Sequence, residues 1–569
     1  MKDGILKRLF LVFSFVLPFF YFHAVQAKAL DSLKPSVSCA SLQNVDLEGI
    51  GGKGSHINSA KQVKVNGAEW CQIDGVLAPE IGFQMLLPSS EWNQRYMQIG
   101  CGGLCGRISL QPGAAAGCSA LDSNGFALAT TDMGHKTQET DFGKDRQKRS
   151  DFAWRAQHLT AITAKKLISV YYKSPPAWSY FNGCSDGGRE ALMEAQRFPN
   201  DFNGIIAGAE AMNFQVQNAL YHSWQVVSNK DSTGHYLITG KDLTLIHKTV
   251  LSQCDALDGQ EDGLIADPEA CHPDLNVMLC KTDHSSQDCL STQQISALRK
   301  LYEGPKDPIT GEKLTVGGPQ YGSELAWNGV FIPKTADSSV MSESIALPAL
   351  RYMSFIDNPS PEFALKDLKF DLETFRKLKK LHPLYDATNP NLSAFYQAGG
   401  KLIIWHGWAD PHISPINSIA YHDAIGKFMG DAKRQEFERL YLLPGVWHCS
   451  GGEGPSLVDF VTPIMQWVED GHAPDKITTW QATSGDKNSF GQPTTDHTSN
   501  TGGIAALNIQ KIPSNAASRP VYPYPFYAVW SGHGDVSKAS SYIKKPLSFR
   551  DNTYRWAGKD FYSGYKFIN

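Results

Sequence analysis

The 569-residue sequence has no surplus of either charge: 53 Lys and Arg stand against 57 Asp and Glu, for a net charge of −4. Without a basic field or an acidic tail, nucleic acid is excluded as an expected partner. Beyond residue 22 no segment reaches the roughly 18 uninterrupted apolar residues of a transmembrane helix, so the mature chain is expected to carry no membrane span. Internal repeats and low-complexity tracts are also missing, although Ser484 to Gly503 is polar enough to read as a long loop. What remains is a globular chain whose 42% apolar side chains suffice for one large core or two to three smaller ones. Its 11 cysteines are few for the length but clustered: Cys254, Cys271, Cys280 and Cys289 form one group, and Cys101, Cys105 and Cys118 another.

Compartment decides what cysteines do, and the first residues indicate it. Lys2, Lys7 and Arg8 precede the apolar run Leu9 to Phe22, and Val25-Gln26-Ala27 follows. That is the pattern of a secretory signal peptide over 1–27, with cleavage expected after Ala27. The run is short for a membrane span of about 20 residues. A secreted or periplasmic protein is expected, in an oxidising space where disulfides persist.

Short apolar runs bounded by Gly, Pro and Asn mark strands at Gly82 to Pro88, Arg95 to Gly100 and Gly125 to Thr131. Phe152 to Tyr171 then shows helical spacing, Trp178 to Phe181 a short strand, and Glu190 to Phe198 helical spacing again. Strands alternating with helices imply an α/β fold with a mainly parallel sheet. A second such stretch starts near Leu392, with apolar strands at Lys401 to Trp405 and Arg439 to Leu443. The intervening residues 211–391 are Cys-, Gly- and Pro-rich and lack the alternation. At about 180 residues they are too long for a connection inside a compact domain. They read as an inserted lid, with the catalytic domain formed by 28–210 and 392–569.

Gly183-Cys184-Ser185-Asp186-Gly187 matches the G-x-S-x-G nucleophile elbow, with a strand before it and a helix after it. Small residues at both glycine positions let such a turn close while exposing the hydroxyl of Ser185. A serine needs a base, and the base an orienting carboxylate, in the chain order Ser, acid, His. The strand at 401–405 runs into His406-Gly-Trp-Ala-Asp410, and the strand at 439–443 into Pro444-Gly-Val-Trp-His448-Cys449. Asp410 and His448 therefore fall on loops at the carboxyl ends of strands, where active-site groups belong. His406 is the rival histidine, assigned to a supporting or substrate contact.

Cys184 precedes the candidate nucleophile and Cys449 follows the candidate base, so a bridge between them would tie the two loops together. Closing a loop of about 265 residues stabilises by roughly 5 kcal/mol in the chain-entropy picture. The oxyanion of an acyl-transfer reaction needs two donors. The amide of Asp186 supplies one, and Gly102 or Gly103, in the Gly100-Cys-Gly-Gly-Leu-Cys-Gly106 turn, the other.

Gly183 to Glu190, the His406 to Pro411 motif, Asp386 to Pro390 and Gly445 to Pro455 together resemble the tannase and feruloyl esterase family over nearly the whole mature chain. The resemblance implies an α/β-hydrolase fold with a large inserted lid, and hydrolysis of esters of aromatic acids. Gallate esters, ferulate-type cinnamate esters and terephthalate half-esters are all open as the small aromatic substrate. It also implies a calcium loop in the lid: Asp255, Asp258 and Asp262 as carboxylate ligands, with backbone oxygens of Gln260 and Leu264, a hard-oxygen set suited to structural Ca²⁺. Bridges Cys254–Cys271, Cys280–Cys289 and Cys39–Cys71 follow from it, leaving Cys118 expected to pair with Cys105 or Cys101. Arg351 and Phe355 are candidate substrate contacts, a carboxylate or hydroxyl partner and an aromatic wall. A catalytically silent binding module and a serine peptidase are the alternative readings, and nothing in the sequence specifies an oligomeric state.

Overall fold

The computed structural model describes residues 30–281, 288–482, 509–547 and 554–569. The expected leader at 1–27 and the polar stretch 484–503 lie outside the described residues. The centre is a nine-stranded sheet of β1 (His56–Val65), β2 (Ala68–Leu77), β3 (Ile81–Pro88), β4 (Arg95–Ile99), β5 (Phe126–Thr131), β6 (Trp178–Cys184), β7 (Gly204–Gly208), β8 (Lys401–Gly407) and β9 (Glu438–Leu443). Their order across the sheet is β1-β2-β3-β5-β4-β6-β7-β8-β9. The β1 to β5 ladder is antiparallel, and every pair from β5–β4 onward is parallel. Asn66 and Gly67 make the first hairpin with φ of 51° and 82°, the left-handed pair that a tight two-residue turn requires.

The parallel strands are buried on both faces, which is why they read as continuous apolar runs. Ile205, Ala207, Leu402 and Ile404 point into one core, while Ile206, Ile403 and Trp405 point into the other. Helices α1 (Ala156–Tyr172) and α2 (Asp186–Arg197) cover the first face. From β4 the chain first goes to β5 on one side and then returns to β6 on the other. Loops leaving β4 and β6 thus diverge, opening a crevice at their carboxyl ends. This is an α/β-hydrolase fold.

Residues 211–391 contribute α3 (His222–Ser228), α4 (Leu243–Cys254), α5 (Thr292–Glu303), α6 (Met341–Tyr352) and α7 (Leu372–Lys379). They have apolar clusters of their own, one around Leu220, Leu350 and Phe375 and another around Ile246, Leu298, Trp327 and Phe331. The segments interlock at both ends. Leu381, Leu384 and Tyr385 pack in the main core, and Trp556 and Phe561, near the chain end, pack into the first lid cluster. The chain returns to the catalytic side with β8, α8 (Ile416–Met429), β9 and α9 (Val461–Asp470), the last lying on the second face of the sheet.

The bridges Cys39–Cys71, Cys184–Cys449, Cys254–Cys271 and Cys280–Cys289 are present. The pairing expected for Cys118 is not. Cys101 bonds Cys105 across a turn closed by the Cys105 N–H donating to the Gly102 carbonyl at 3.1 Å, and Cys118 is left as a buried free thiol. The sheet explains the difference: Cys101 and Cys105 face one core, and Cys118 belongs to the other.

Candidate active site

Ser185 joins β6 to α2 with φ 66° and ψ −121°, a conformation that L-residues avoid outside overdetermined sites. Its amide donates to the Gly208 carbonyl at 2.9 Å, and its carbonyl accepts from the amides of Arg189 and Ala211 at 3.1 and 3.0 Å. Three backbones converge beneath it. A Cβ added to Gly183 would lie 2.3 Å from the Gly187 oxygen, one on Gly187 2.8 Å from the Cys101 oxygen, and one on Gly100 2.7 Å from the Gly187 Cα. Only glycine fits at these contacts. The elbow is thereby pressed onto the turn that follows β4.

Asp410, fully buried after β8, is saturated with donors. Its Oδ1 accepts the amides of His412 and Ile413 at 2.7 and 3.0 Å, and its Oδ2 accepts His448 Nδ1 at 2.7 Å and His406 Nε2 at 3.1 Å. Burial alone would raise its pKa, but the charge and hydrogen bond of His448 and the hydrogen bond of His406 outweigh it and hold the carboxyl well below the usual range. The bond from Nδ1 leaves Nε2 of His448 as the ring atom for proton transfer, the tautomer a general base requires. Burial, followed by the charge of His448, pushes nearby His222 down to about 4, so it stays neutral.

The Cys184–Cys449 bridge, with a Cα–Cα distance of 6.0 Å, joins the residue before Ser185 to the residue after His448. Replacing both cysteines with alanine is expected to lower kcat at temperatures where the variant is still folded, with KM little changed, because drift of about 1 Å between reacting groups is costly. Wild-type kcat in a folded double variant would remove the bridge from catalytic geometry.

The turn carrying Gly102 and Gly103 is held onto α2 by the Cys101 N–H donating to Glu190 Oε1 at 3.2 Å, and onto the loop after β5 by His135 Nε2 against the Leu104 carbonyl at 2.7 Å. Asp186 opens α2, placing its amide at the first position of the helix. Its side chain is turned inward to Arg189, with Nε–Oδ1 at 2.7 Å and Nη2–Oδ2 at 3.0 Å.

The three expected substrate contacts have other partners in the structure. His406 is fully buried, with Nε2 against Asp410 and the Ile413 carbonyl and Nδ1 against Ser418, so it has no face for substrate and serves the supporting role only. Arg351 donates from Nε to the Phe363 carbonyl at 2.8 Å and Phe355 packs on the first lid cluster, so both make contacts within the lid. The other end of α6 reaches the site instead: Ser342 Oγ lies 2.9 Å from His222 Nδ1. His412, whose ring lies 4.8 Å from that of His448, and Tyr221, close enough to feel the charge of Asp410, were not picked out from the sequence. No motif marks them; only the segment leading into α3 and the Asp410 loop, folded together, bring them there.

The acidic loop of the lid curls on itself. The Gly263 amide donates to Asp255 Oδ2 at 2.8 Å, the Gln260 amide to Asp258 Oδ1 at 3.0 Å and the Leu264 amide to Asp262 Oδ1 at 3.1 Å. Burial, then the charges of Asp262 and Asp255, push buried Asp258 up to about 7, the mark of carboxylates crowded without enough positive charge. Asp262 also pairs with Arg519, so a cation here would share that carboxylate with the guanidinium. The donor set fits a hard divalent ion.

A model of the family described as tannase and feruloyl esterase matches residues 63–545. An uncharacterized esterase of Xanthomonas campestris pv. campestris is 31% identical over 521 residues, covering 83% of this chain and 84% of that protein. The mono(2-hydroxyethyl) terephthalate hydrolase of Piscinibacter sakaiensis is 30% identical over 540 residues, again covering 83% and 84%. Among solved structures, feruloyl esterase B from Aspergillus oryzae superposes with a TM-score of 0.72 at 22% identity, covering 89% of this chain and all of that one.

Proposed function

The chain belongs to the tannase and feruloyl esterase family and is a carboxylic-ester hydrolase, and from that premise we propose that it is a secreted or periplasmic enzyme cleaving small esters of aromatic acids through an acyl-enzyme on Ser185. The observation that carries this reading is the pairing of His448 Nδ1 with Asp410 at 2.7 Å on a loop bridged to the elbow of Ser185. Ser185 Oγ attacks the ester carbonyl while His448 takes its proton, and Asp410 stabilises the resulting imidazolium. The tetrahedral oxyanion is met by the amides of Asp186 and of Gly102 or Gly103. His448 then protonates the leaving alcohol, and water, activated by the same histidine, releases the aromatic acid. Ten bridged cysteines support the oxidising compartment. No helix among the described residues is long and apolar enough to cross a membrane.

Side-by-side kinetics on methyl gallate, methyl ferulate and mono(2-hydroxyethyl) terephthalate test the substrate class. A kcat/KM for one of them well above that for a simple aliphatic ester supports the reading. Turnover of matched amides in preference to esters would replace it with a peptidase, and no turnover of any with a silent binding module.

The lid loop is proposed as a structural Ca²⁺ site held by Asp255, Asp258 and Asp262 with backbone oxygens of Gln260 and Leu264. Bound calcium would neutralise the crowded carboxylates and fasten the loop. A ligand at about 100 times its Kd adds roughly 2.7 kcal/mol to folding, so chelation is expected to lower the Tm by about two to three degrees while activity well below that temperature changes less. Asp258→Asn should abolish the chelator response. An unchanged melt in chelator, with no metal in protein purified without it, rejects the site.

A further inference from the structure

Asp410 has a second histidine, and behind it lies a buried arm that the reaction does not use. His406 Nε2 is 3.1 Å from both Asp410 Oδ2 and the Ile413 carbonyl. A carbonyl oxygen can only accept, so Nε2 carries a hydrogen. Nδ1 is 2.7 Å from Ser418 Oγ on α8, and that hydroxyl is 2.6 Å from Oε2 of Glu210, two residues beyond β7. His406, Asp410, Ser418 and Glu210 are all fully buried. The hydroxyl has one hydrogen. When it goes to the Glu210 carboxylate, Ser418 Oγ must accept from Nδ1, and His406 carries hydrogens on both nitrogens.

Charge accounting favours that arrangement. Glu210 Oε2 lies 3.9 Å from His406 Nδ1, so two carboxylates flank one buried ring. Among the described residues no lysine or arginine pairs with Asp410 or Glu210, and a buried carboxylate needs a cation. Other titratable groups stand around the array. Glu438 on β9 is paired with His422 and Arg434, at 2.9 and 3.8 Å; Tyr421 and Tyr562 stand beside Glu210; Tyr221, His222 and His412 stand beside Asp410 and His448.

We propose that Glu210, through Ser418, holds His406 as an imidazolium, so that Asp410 divides its charge between two histidines and Glu210 is a positioning residue that lowers the basicity of His448. This rests on the triad reading above. A cation 3.1 Å from Asp410 weakens the pull of that carboxylate on His448, which keeps the catalytic base neutral, and so competent, at more acidic pH. Burial pushes the Glu210 carboxyl up to about 7 against the charge of His406 and the hydrogen bond of Ser418. Loss of the pair is read as a moved pH profile rather than lost turnover.

The test is the pH dependence of kcat/KM on a chromogenic aryl ester. Glu210→Gln keeps the bond to Ser418 but cannot hold the charge, and Ser418→Ala cuts the arm in the middle. Each is expected to move the acidic limb to higher pH by about half to one pH unit with the plateau largely kept, and the double variant no further than the larger single shift. An unmoved limb in both folded variants, a limb moved to lower pH, or additive shifts would each overturn the proposal. Ser185→Ala and His448→Ala on the same substrate separate the two levels. If either stays active the triad reading itself has failed, whereas if both are dead and the limb is unmoved only the Glu210 arm has.

Discussion

Ser185→Ala is expected to lower kcat/KM by about four to six orders of magnitude, since the acyl-enzyme cannot form without the hydroxyl. The fold should be indifferent. The strained φ of 66° is a property of any residue with a Cβ, and alanine keeps the Cβ; the serine side chain makes no capping hydrogen bond to α2 that would be lost. The variant should therefore melt with the wild type while failing to turn over ester. A residual activity above a few per cent would move the nucleophile elsewhere. His448→Ala should behave alike, and a greater loss in His406→Ala than in His448→Ala would exchange the roles of the two histidines.

Asp410→Asn is the second large effect, about 10⁴-fold in kcat, and unlike the first it should also cost stability. Asp410 meets four donors and no acceptor: two amides on one oxygen, two imidazoles on the other. An asparagine has one oxygen and one amino group, so either orientation turns a donor toward donors. Facing the imidazoles, the amino group forces His448 into the wrong tautomer; facing the amides, it strands two backbone N–H groups at about 1–3 kcal/mol. A lower Tm and a nearly dead enzyme are expected together. Retention of a tenth of the wild-type rate would show that His448 is oriented by something other than this carboxylate.

The parts of the site legible in the sequence are those whose chemistry is written within a few adjacent residues. Gly183 to Gly187 states its own backbone demand, and Asp410 and His448 each follow an apolar run ending at a turn, so strand and loop announce themselves. Cys184 and Cys449 were readable as a pair because each neighbours a triad member. The Cys101–Cys105 bridge was not, since choosing among three nearby cysteines requires knowing which face of the sheet each one meets. The same holds for the array behind His406: Glu210 and Ser418 are 208 positions apart, and only the placement of β7 beside β8 with α8 packed over them brings the two together. Arg351 and Phe355 had no such local signature behind them, and the contacts they make are with the Phe363 carbonyl and the first lid cluster.

An odd number of cysteines leaves one thiol to be dealt with during maturation. Cys118 is completely buried at the start of a short helix, and Thr462 donates to its sulfur. Until that segment docks beneath α9, however, the thiol is as free as any of the other ten, and a thiolate will attack whichever disulfide it meets. Burial also raises its pKa, which silences it once it is in place. The order of assembly therefore matters: a chain that closes the second core late leaves its bridges open to exchange with this thiol for longer.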